Sequence, residues 1–253
     1  MFTFSLQSGS NGNAIYVEAG EVRLLFDAGI SGKQAALRMA EHGRDIRNCT
    51  ALILSHEHAD HSRSAGVYQR KFRLPLYCTR PTYQATQRRF GRLEAARFFT
   101  AGDALAFGDV RVFTLPTPHD GVDTVCFVIE HGRKRLGIFT DLGHPFRALR
   151  AALAEVDAAF LESNYEPDML WAGPYPEPLK QRIAGRGGHL SNDEAAKLAK
   201  KSVKPRLKWL AVAHLSEHNN EPELALDAQR AWVGRSLPVH LASRSGVGEV
   251  LEV

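Results

Sequence analysis

Cysteine is scarce in this chain: three residues in 253, Cys49, Cys78 and Cys126, far apart and each in or beside an apolar run. They can form neither a disulfide framework nor a Cys-x-x-Cys metal knuckle, and they read as reduced core residues of a cytoplasmic protein. Long hydrophobic runs are missing as well. No stretch of eighteen or more apolar residues occurs, so no membrane-spanning helix is expected. The opening Met1-Phe2-Thr3-Phe4-Ser5-Leu6 has no basic segment leading into an apolar one, so no secretory leader is expected either. Internal repeats, low-complexity tracts and an evident linker are also absent. What remains is 44% hydrophobic and long enough to bury one large core, with a net charge of +4 that mildly favours an anionic partner.

Histidine is where the chain is rich. Ser55-His56-Glu57-His58-Ala59-Asp60-His61 places four potential metal ligands, three imidazoles and a carboxylate, within six residues. The preceding Ala51-Leu52-Ile53-Leu54 reads as a short buried strand, which puts the ligands on the loop at its C-terminal end. Chains that alternate strands and helices usually keep their chemistry at such an edge. Neutral imidazoles and carboxylates suit zinc, manganese or iron, and close spacing lets one rigid turn present several of them. A solvated His-rich turn would explain one or two of these residues, not four after a strand.

Around this motif the chain reads as alternating strands and helices. Strands are expected at 2–6, 14–19, 22–26, 51–55, 76–78, 110–115, 124–130, 135–140, 158–161, 207–213 and 239–242. Helices are expected at 31–42, with Ser31 as N-cap and Gly43 as stop, and at 63–72, 81–90, 145–154, 179–184, 193–202 and 221–233. Hairpins first and strand–helix alternation later suggest sheets covered by helices on their outer faces. Residues 165–186, with four prolines, read as an inserted lid.

His-x-His-x-Asp-His after a strand, the earlier Asp27-Ala28-Gly29, and a later His, Asp and His near strand ends resemble the metallo-β-lactamase fold superfamily along nearly the whole chain. The resemblance implies an α/β fold: a four-layer αββα sandwich, in one domain spanning 1–253, with a metal site at one edge of its two sheets. It implies two divalent metal ions, zinc or manganese, with iron also possible. His56, His58 and His119 would hold one, Asp60, His61 and His214 the other, and Asp141 would bridge them. His119, Asp141 and His214 each end an apolar strand, which supports the assignment independently. Asp27 would orient a ligand imidazole through its free ring nitrogen, or would be a plain turn aspartate. No cysteine enters the set, which points away from lactam hydrolysis.

Two downstream motifs narrow the expectation. Gly188-His189-Leu190-Ser191-Asn192-Asp193-Glu194-Ala195 followed by His214-Leu215-Ser216 is similar to the paired motifs of RNase Z-type nucleases. That similarity makes His189 the general acid that protonates the leaving oxygen without touching metal, with Asp60 an alternative base. A place in the first turn of helix 193–202 is the simpler structural role for His189. Ser8-Gly9-Ser10-Asn11-Gly12-Asn13, the run 162–170 and His214-Leu215-Ser216-Glu217-His218-Asn219-Asn220 resemble the WalJ (YycJ) family. Those bacterial cytosolic proteins are described as DNA exonucleases working 5′→3′ from duplex ends. Tyr165 departs from that family's pattern, where a histidine followed by aspartate is expected, and Glu162 and Asn164 order the lid, touch the site, or are simply strand-end polar residues.

Charge placement points the same way. Residues 63–97 hold nine Arg or Lys against Glu94 alone, and residues 180–208 hold nine against Asp193 and Glu194. Basic segments flanking a metal motif suit the phosphate backbone of nucleic acid, DNA more than RNA, although solvated helix faces also carry such residues. The expected activity is therefore a dinuclear metal-dependent phosphodiesterase, a DNA exonuclease. The alternative is a small-substrate hydrolase of the same fold, a thioesterase or lactonase of glyoxalase type.

Overall fold

The computed structural model describes residues 1–253 except 95, 203, 235 and 236. Among the described residues the strands form two seven-stranded sheets. In the first, β1 (Phe2–Gly9), β2 (Gly12–Ala19) and β3 (Val22–Phe26) run as an antiparallel meander. Parallel to β3 follow β4 (Ala51–Ile53), β5 (Leu76–Thr79) and β6 (Ala96–Phe99). The second sheet opens with the antiparallel β7 (Ala104–Phe107), β8 (Val110–Pro116), β9 (Val125–His131) and β10 (Lys134–Phe139). It continues with β11 (Ala158–Glu162), β12 (Trp209–Ala213) and β13 (Val239–Leu241), all parallel to β10. A two-residue β14 (Leu251–Glu252) closes the first sheet against β1.

Side-chain alternation builds the layers. In β3, Val22, Leu24 and Phe26 face the second sheet while Leu25 faces outward, and in β12 Trp209, Ala211 and Ala213 face inward while Leu210 and Val212 do not. Both faces are buried, so these strands read as continuous apolar runs. Phe26 and Phe127 meet across the sheets with ring centroids 4.9 Å apart. Helices α1 (Gly32–Glu41), α2 (Ala59–Ser62), α3 (Ala65–Phe72) and α4 (Arg80–Phe90) belong to the first half. Met39, Tyr68, Phe72 and Phe90 pack on the outer face of the first sheet. On the second sheet, α5 (Arg147–Glu155) contributes Leu149 and Leu153, and the lid segment supplies two short helices, α6 (Pro167–Ala172) and α7 (Glu177–Ala184). The outer layer is completed by α8 (Asn192–Ser202), through Leu198, and α9 (Pro222–Val233), through Ala225. The result is the expected αββα sandwich.

Ser31 caps α1 by accepting from the Gln34 amide, and Gly43 follows the helix end with φ of 67°. The expected elements recur within a few residues of their predicted ends. The short β6, β7 and β14 were not expected, since edge strands of two to four residues leave almost no periodic signal. Residues 165–186 are more helical than their prolines suggested, because Pro167 and Pro178 sit in first turns, where no amide donor is lost. The three cysteines are buried and unpaired, and burial pushes the thiols of Cys49 and Cys78 up to about 12. Among the described residues no helix is long and apolar enough to cross a membrane.

This topology gathers strand ends. Parallel pairing of β3 with β4, and of β10, β11 and β12, brings their C-terminal ends to one edge of the sandwich. Asp27, the 55–61 loop, Asp141, Glu162 and His214 all leave from that edge.

Candidate metal centre

Three of the strand-end residues leave their strands through a conformation that side chains seldom adopt. Asp27, Asp141 and His214 have φ of 64°, 57° and 55°. Each such turn costs about 1 kcal/mol or more outside glycine, so the surroundings must hold it. They do. The Asp27 amide donates to Ile53 O at 2.9 Å, and the His214 amide to Ser8 Oγ at 2.9 Å. The amides of Asp141 and Leu142 donate to the two carboxylate oxygens of Glu162 at 3.2 and 3.1 Å.

The 55–61 loop is fixed from several sides. Ser62 Oγ donates to the carbonyl of Glu57 at 2.7 Å, and Arg89 donates to that carbonyl at 2.9 Å and to Ser62 Oγ at 2.8 Å. The amide of Ala28 donates to His61 O at 2.7 Å. Gly29 is needed here for space: a Cβ on it would fall 1.6 Å from the Asp60 carbonyl oxygen. Gly29→Ala should therefore cost roughly 3 kcal/mol and weaken metal uptake, as overpacking against backbone does. Urea titration with a parallel metal count checks this; wild-type values for both would show that the loop yields freely.

All seven expected ligands converge at this edge. The ligand atoms of His56, His58 and His119 lie within 4.8 Å of one another, as do those of Asp60, His61 and His214. His58 Nδ1 is 3.2 Å from His119 Nε2, and His61 Nε2 is 3.1 Å from His214 Nε2. Asp60 Oδ2 stands 3.3 Å from His61 and 3.4 Å from His214. Asp141 lies between the two groups, with Oδ2 3.2 Å from His61 Nε2 and Oδ1 3.3 Å from His214 Nε2 and 3.6 Å from His119 Nε2.

Ring orientation decides where the lone pairs point. His119 Nδ1 lies 2.9 Å from Gly188 O, to which it can only donate, so its Nε2 lone pair faces the cluster. His61 Nδ1 is 2.8 Å from Asp27 Oδ2, and His56 Nδ1 is 2.9 Å from Ser55 Oγ, which itself donates to Asp27 at 3.0 Å. Asp27 thus orients two imidazoles, one directly and one through a hydroxyl. His56 Nε2 and Asp141 Oδ2 are buried with no hydrogen-bond partner. Orphaned acceptors and nitrogen pairs about 3 Å apart, all aimed at one volume, fit divalent cations.

Electrostatics agree with that fit. Burial alone would lower the pKa of His61 and His214, but the Asp141 and Asp60 carboxylates outweigh it: His61 is held well above its usual range and His214 is raised to about 9. Burial likewise opposes ionisation of Asp60 and Asp141, yet the facing imidazoles hold both carboxyls well below their usual range. Without metal, protons do the neutralising. The share of this proton-linked stability that belongs to His214 is full below the ordinary histidine pKa and is lost as pH rises through about 9. Metal must displace those protons, so apparent affinity should climb between pH 7 and pH 9. Chelator competition at the two pH values tests this; equal affinities would mean that both rings are already neutral.

His189 adjoins the two triads, and its ligand atom lies within 4.8 Å of those of Asp141, Glu162 and His214. Its ring stacks 5.1 Å from His214 and sits 5.0 Å from His119, with Nδ1 2.7 Å from Glu162 Oε1 and 3.9 Å from Asp141 Oδ1. Glu162 is fully buried and also accepts the Leu190 amide at 3.2 Å, so one carboxylate braces both the Asp141 turn and the His189 segment. Of the roles the sequence left open for Glu162, it touches the site. Asn164 does too, through its carboxamide nitrogen 3.0 Å from His214 Nδ1 and 2.8 Å from the His214 carbonyl. Tyr165 stays outside, buried and bridged to Ser191.

Two further neighbours carried no role in the sequence. Asn13 Nδ2 lies 3.1 Å from His61 Nε2, and its own Oδ1 accepts the Gly9 amide at 3.0 Å. Asp120 Oδ1 is 3.6 Å from His58 Nε2 and 3.5 Å from His119 Nε2, and Arg182 of α7 grips the same carboxylate at 2.5 and 3.2 Å. Adjacency to His119 was the available signal for Asp120; the Ser-Gly-Ser-Asn-Gly-Asn turn was the one for Asn13. His42, His131 and His240 stand away from the cluster but have partners of their own, Gly248 O, Asp109 and Glu249.

A sequence profile of the beta-lactamase superfamily domain matches residues 22–211. The chain belongs to that superfamily. Within it, the chain is 32% identical over 244 residues to the exodeoxyribonuclease YycJ of Bacillus anthracis, a match spanning 93% of this chain and 92% of that protein. It is 33% identical over 224 residues to the exodeoxyribonuclease WalJ of Streptococcus pneumoniae, covering 87% and 83% respectively. The fold matches a Zn(2+)-bound PqqB from Methylobacterium extorquens with a TM-score of 0.75, at 20% identity and full coverage of both chains. The superfamily comprises metal-dependent hydrolases, and the His/Asp cluster of this member stands at its sheet edge.

Proposed function

We propose that this protein is a dinuclear metal-dependent phosphodiesterase, a DNA exonuclease degrading duplex ends 5′→3′ in the cytoplasm. His56, His58 and His119 would hold one ion, Asp60, His61 and His214 the other, with Asp141 between them. When bound, two divalent cations supply a water-derived nucleophile at neutral pH and offset charge on the phosphoryl oxygens. The protein's own part is orientation and proton transfer. Asp27, Ser55 and Gly188 set the rings, and Glu162 holds His189 with Nδ1 paired, leaving Nε2 as the atom that protonates the departing oxygen. Asp60 is the alternative base. The 165–186 segment acts as a lid, tied to the site through Arg182 and Asp120.

The observation that favours nucleic acid over a small substrate is unpaired positive charge. Among the described residues, no Arg or Lys of 63–97 makes an ion pair with a carboxylate, whereas in 180–208 Arg182, Lys197 and Arg206 do. Arg63 and Arg89 reach the 55–61 loop itself, and charge left free there is what a phosphate backbone binds. Two relatives named exodeoxyribonuclease over most of the chain support the same reading. Duplex DNA labelled at the 5′ or the 3′ end tests it: label should leave from the 5′ end first. Thioester or lactone turnover with no action on any nucleic acid would replace this reading with the small-substrate hydrolase.

A further inference from the structure

Arg38 and Arg244 lie outside both basic segments of the sequence, yet the fold brings them together with Arg63. The three line a cleft of about 430 Å³ bordered by Asn11, Ser31 and Ser245. Among the described residues no acidic side chain lines it. Each guanidinium is fixed chiefly by neutral acceptors. Arg38 donates to Leu6 O at 3.1 Å and Ser245 O at 2.7 Å, Arg63 to Ala59 O at 3.0 Å and Asn11 O at 3.2 Å, and Arg244 to Asn220 O at 2.9 Å. Among the described residues Arg38 and Arg63 have no carboxylate partner, and Arg244 reaches no nearer than 4.0 Å to Glu221. Carbonyls orient a guanidinium without cancelling its charge, and each of these groups keeps N–H donors to spare out of five. The N-terminal turn of α1, which has no acidic residue, opens onto the same cleft at Ser31.

The cleft adjoins the metal centre. Gly29 forms part of its wall and packs directly against the Asp60 carbonyl. Asn11 belongs to the turn that carries Asn13, and Arg63 follows the helix of Asp60 and His61 directly. We propose that this cleft is a phosphate-binding pocket that seats a phosphate of the strand being cut, clamped by Arg38, Arg63 and Arg244. The pocket itself is read from its own residues; that the phosphate belongs to DNA rests on the function proposed above. A terminal 5′-phosphate and an internal phosphodiester offer the same chemistry, and the test separates them.

Ser31→Asp is the informative change, because aspartate caps a helix as well as serine does and sets a carboxylate where the phosphate would lie. Arg63→Gln is the second, at an exposed position where folding is not at stake. The full metal-loaded chain is titrated with inorganic phosphate by calorimetry; uptake at the metal centre is common to all three proteins and cancels in the comparison. Both variants should lose about tenfold or more of the phosphate affinity assigned to the cleft, the scale of one charge-assisted contact. On duplex DNA, KM should rise similarly with kcat little changed. A rise confined to 5′-phosphorylated ends identifies the terminal phosphate, and an equal rise on 5′-hydroxyl ends identifies an internal one. Phosphate affinity equal to wild type in both variants would overturn the pocket. Lost phosphate affinity in a protein that cuts no DNA would sink the nuclease reading and leave the pocket standing.

Discussion

Replacing Asp141 with asparagine is expected to lower duplex DNA degradation by about a thousandfold and to leave a folded protein short of metal. The reason is position. One carboxylate stands 3.2–3.6 Å from three imidazole nitrogens drawn from both ligand groups, and its Oδ2 is buried without a hydrogen-bond partner. Asparagine keeps the shape but removes the charge, leaving Asp60 as the one carboxylate among seven ligands facing two cations. An amide N–H would also point at nitrogens that must offer lone pairs. Metal content measured on the purified variant separates this from simple unfolding, as does an unchanged circular dichroism spectrum. Wild-type activity in the asparagine form would remove Asp141 from the site.

His189→Ala should be nearly as damaging to turnover and yet harmless to metal content. General acids contribute about a hundred- to ten-thousandfold, and a loss near the middle of that range is expected. Substrate chemistry gives the sharper readout. A bis-nitrophenyl phosphodiester expels a phenolate that needs little protonation, so the variant should approach wild-type rates on it while failing on DNA. Equal losses on both substrates would make His189 a structural residue. Glu162→Gln should act through His189 and cost more in stability, because its amide group would confront backbone N–H groups that now donate to a carboxylate. Its loss on DNA should likewise shrink on the activated substrate.

The residues proposed as ligands stand out in the sequence for physical reasons that do not extend to their supports. His56, His58, Asp60 and His61 fall within six residues, and His119, Asp141 and His214 each follow an apolar strand, so position and residue type coincide. Strand order then explains why seven residues spread over 159 positions meet at one edge, His56 being first and His214 last. The supports depend on contacts that no local pattern encodes. Asp27 serves two imidazoles only because β3 and β4 are parallel neighbours, and Glu162 reaches Asp141 and His189 only because β10 and β11 are. The left-handed turns at Asp27, Asp141 and His214 are invisible for the same reason: none is a glycine. Arg38, Arg63 and Arg244 are scattered in the chain, and only the fold makes them one surface.

The most direct test of the dinuclear nuclease is a metal titration read by cleavage. Protein stripped by chelator is reloaded stepwise with manganese, and separately with zinc, while degradation of 5′-labelled duplex DNA is followed. Activity should stay low through the first equivalent, rise with the second, level off at two per chain, and be missing at every loading in the Asp141→Asn variant. A protein that takes up two ions and still leaves duplex and single-stranded DNA intact would contradict the account.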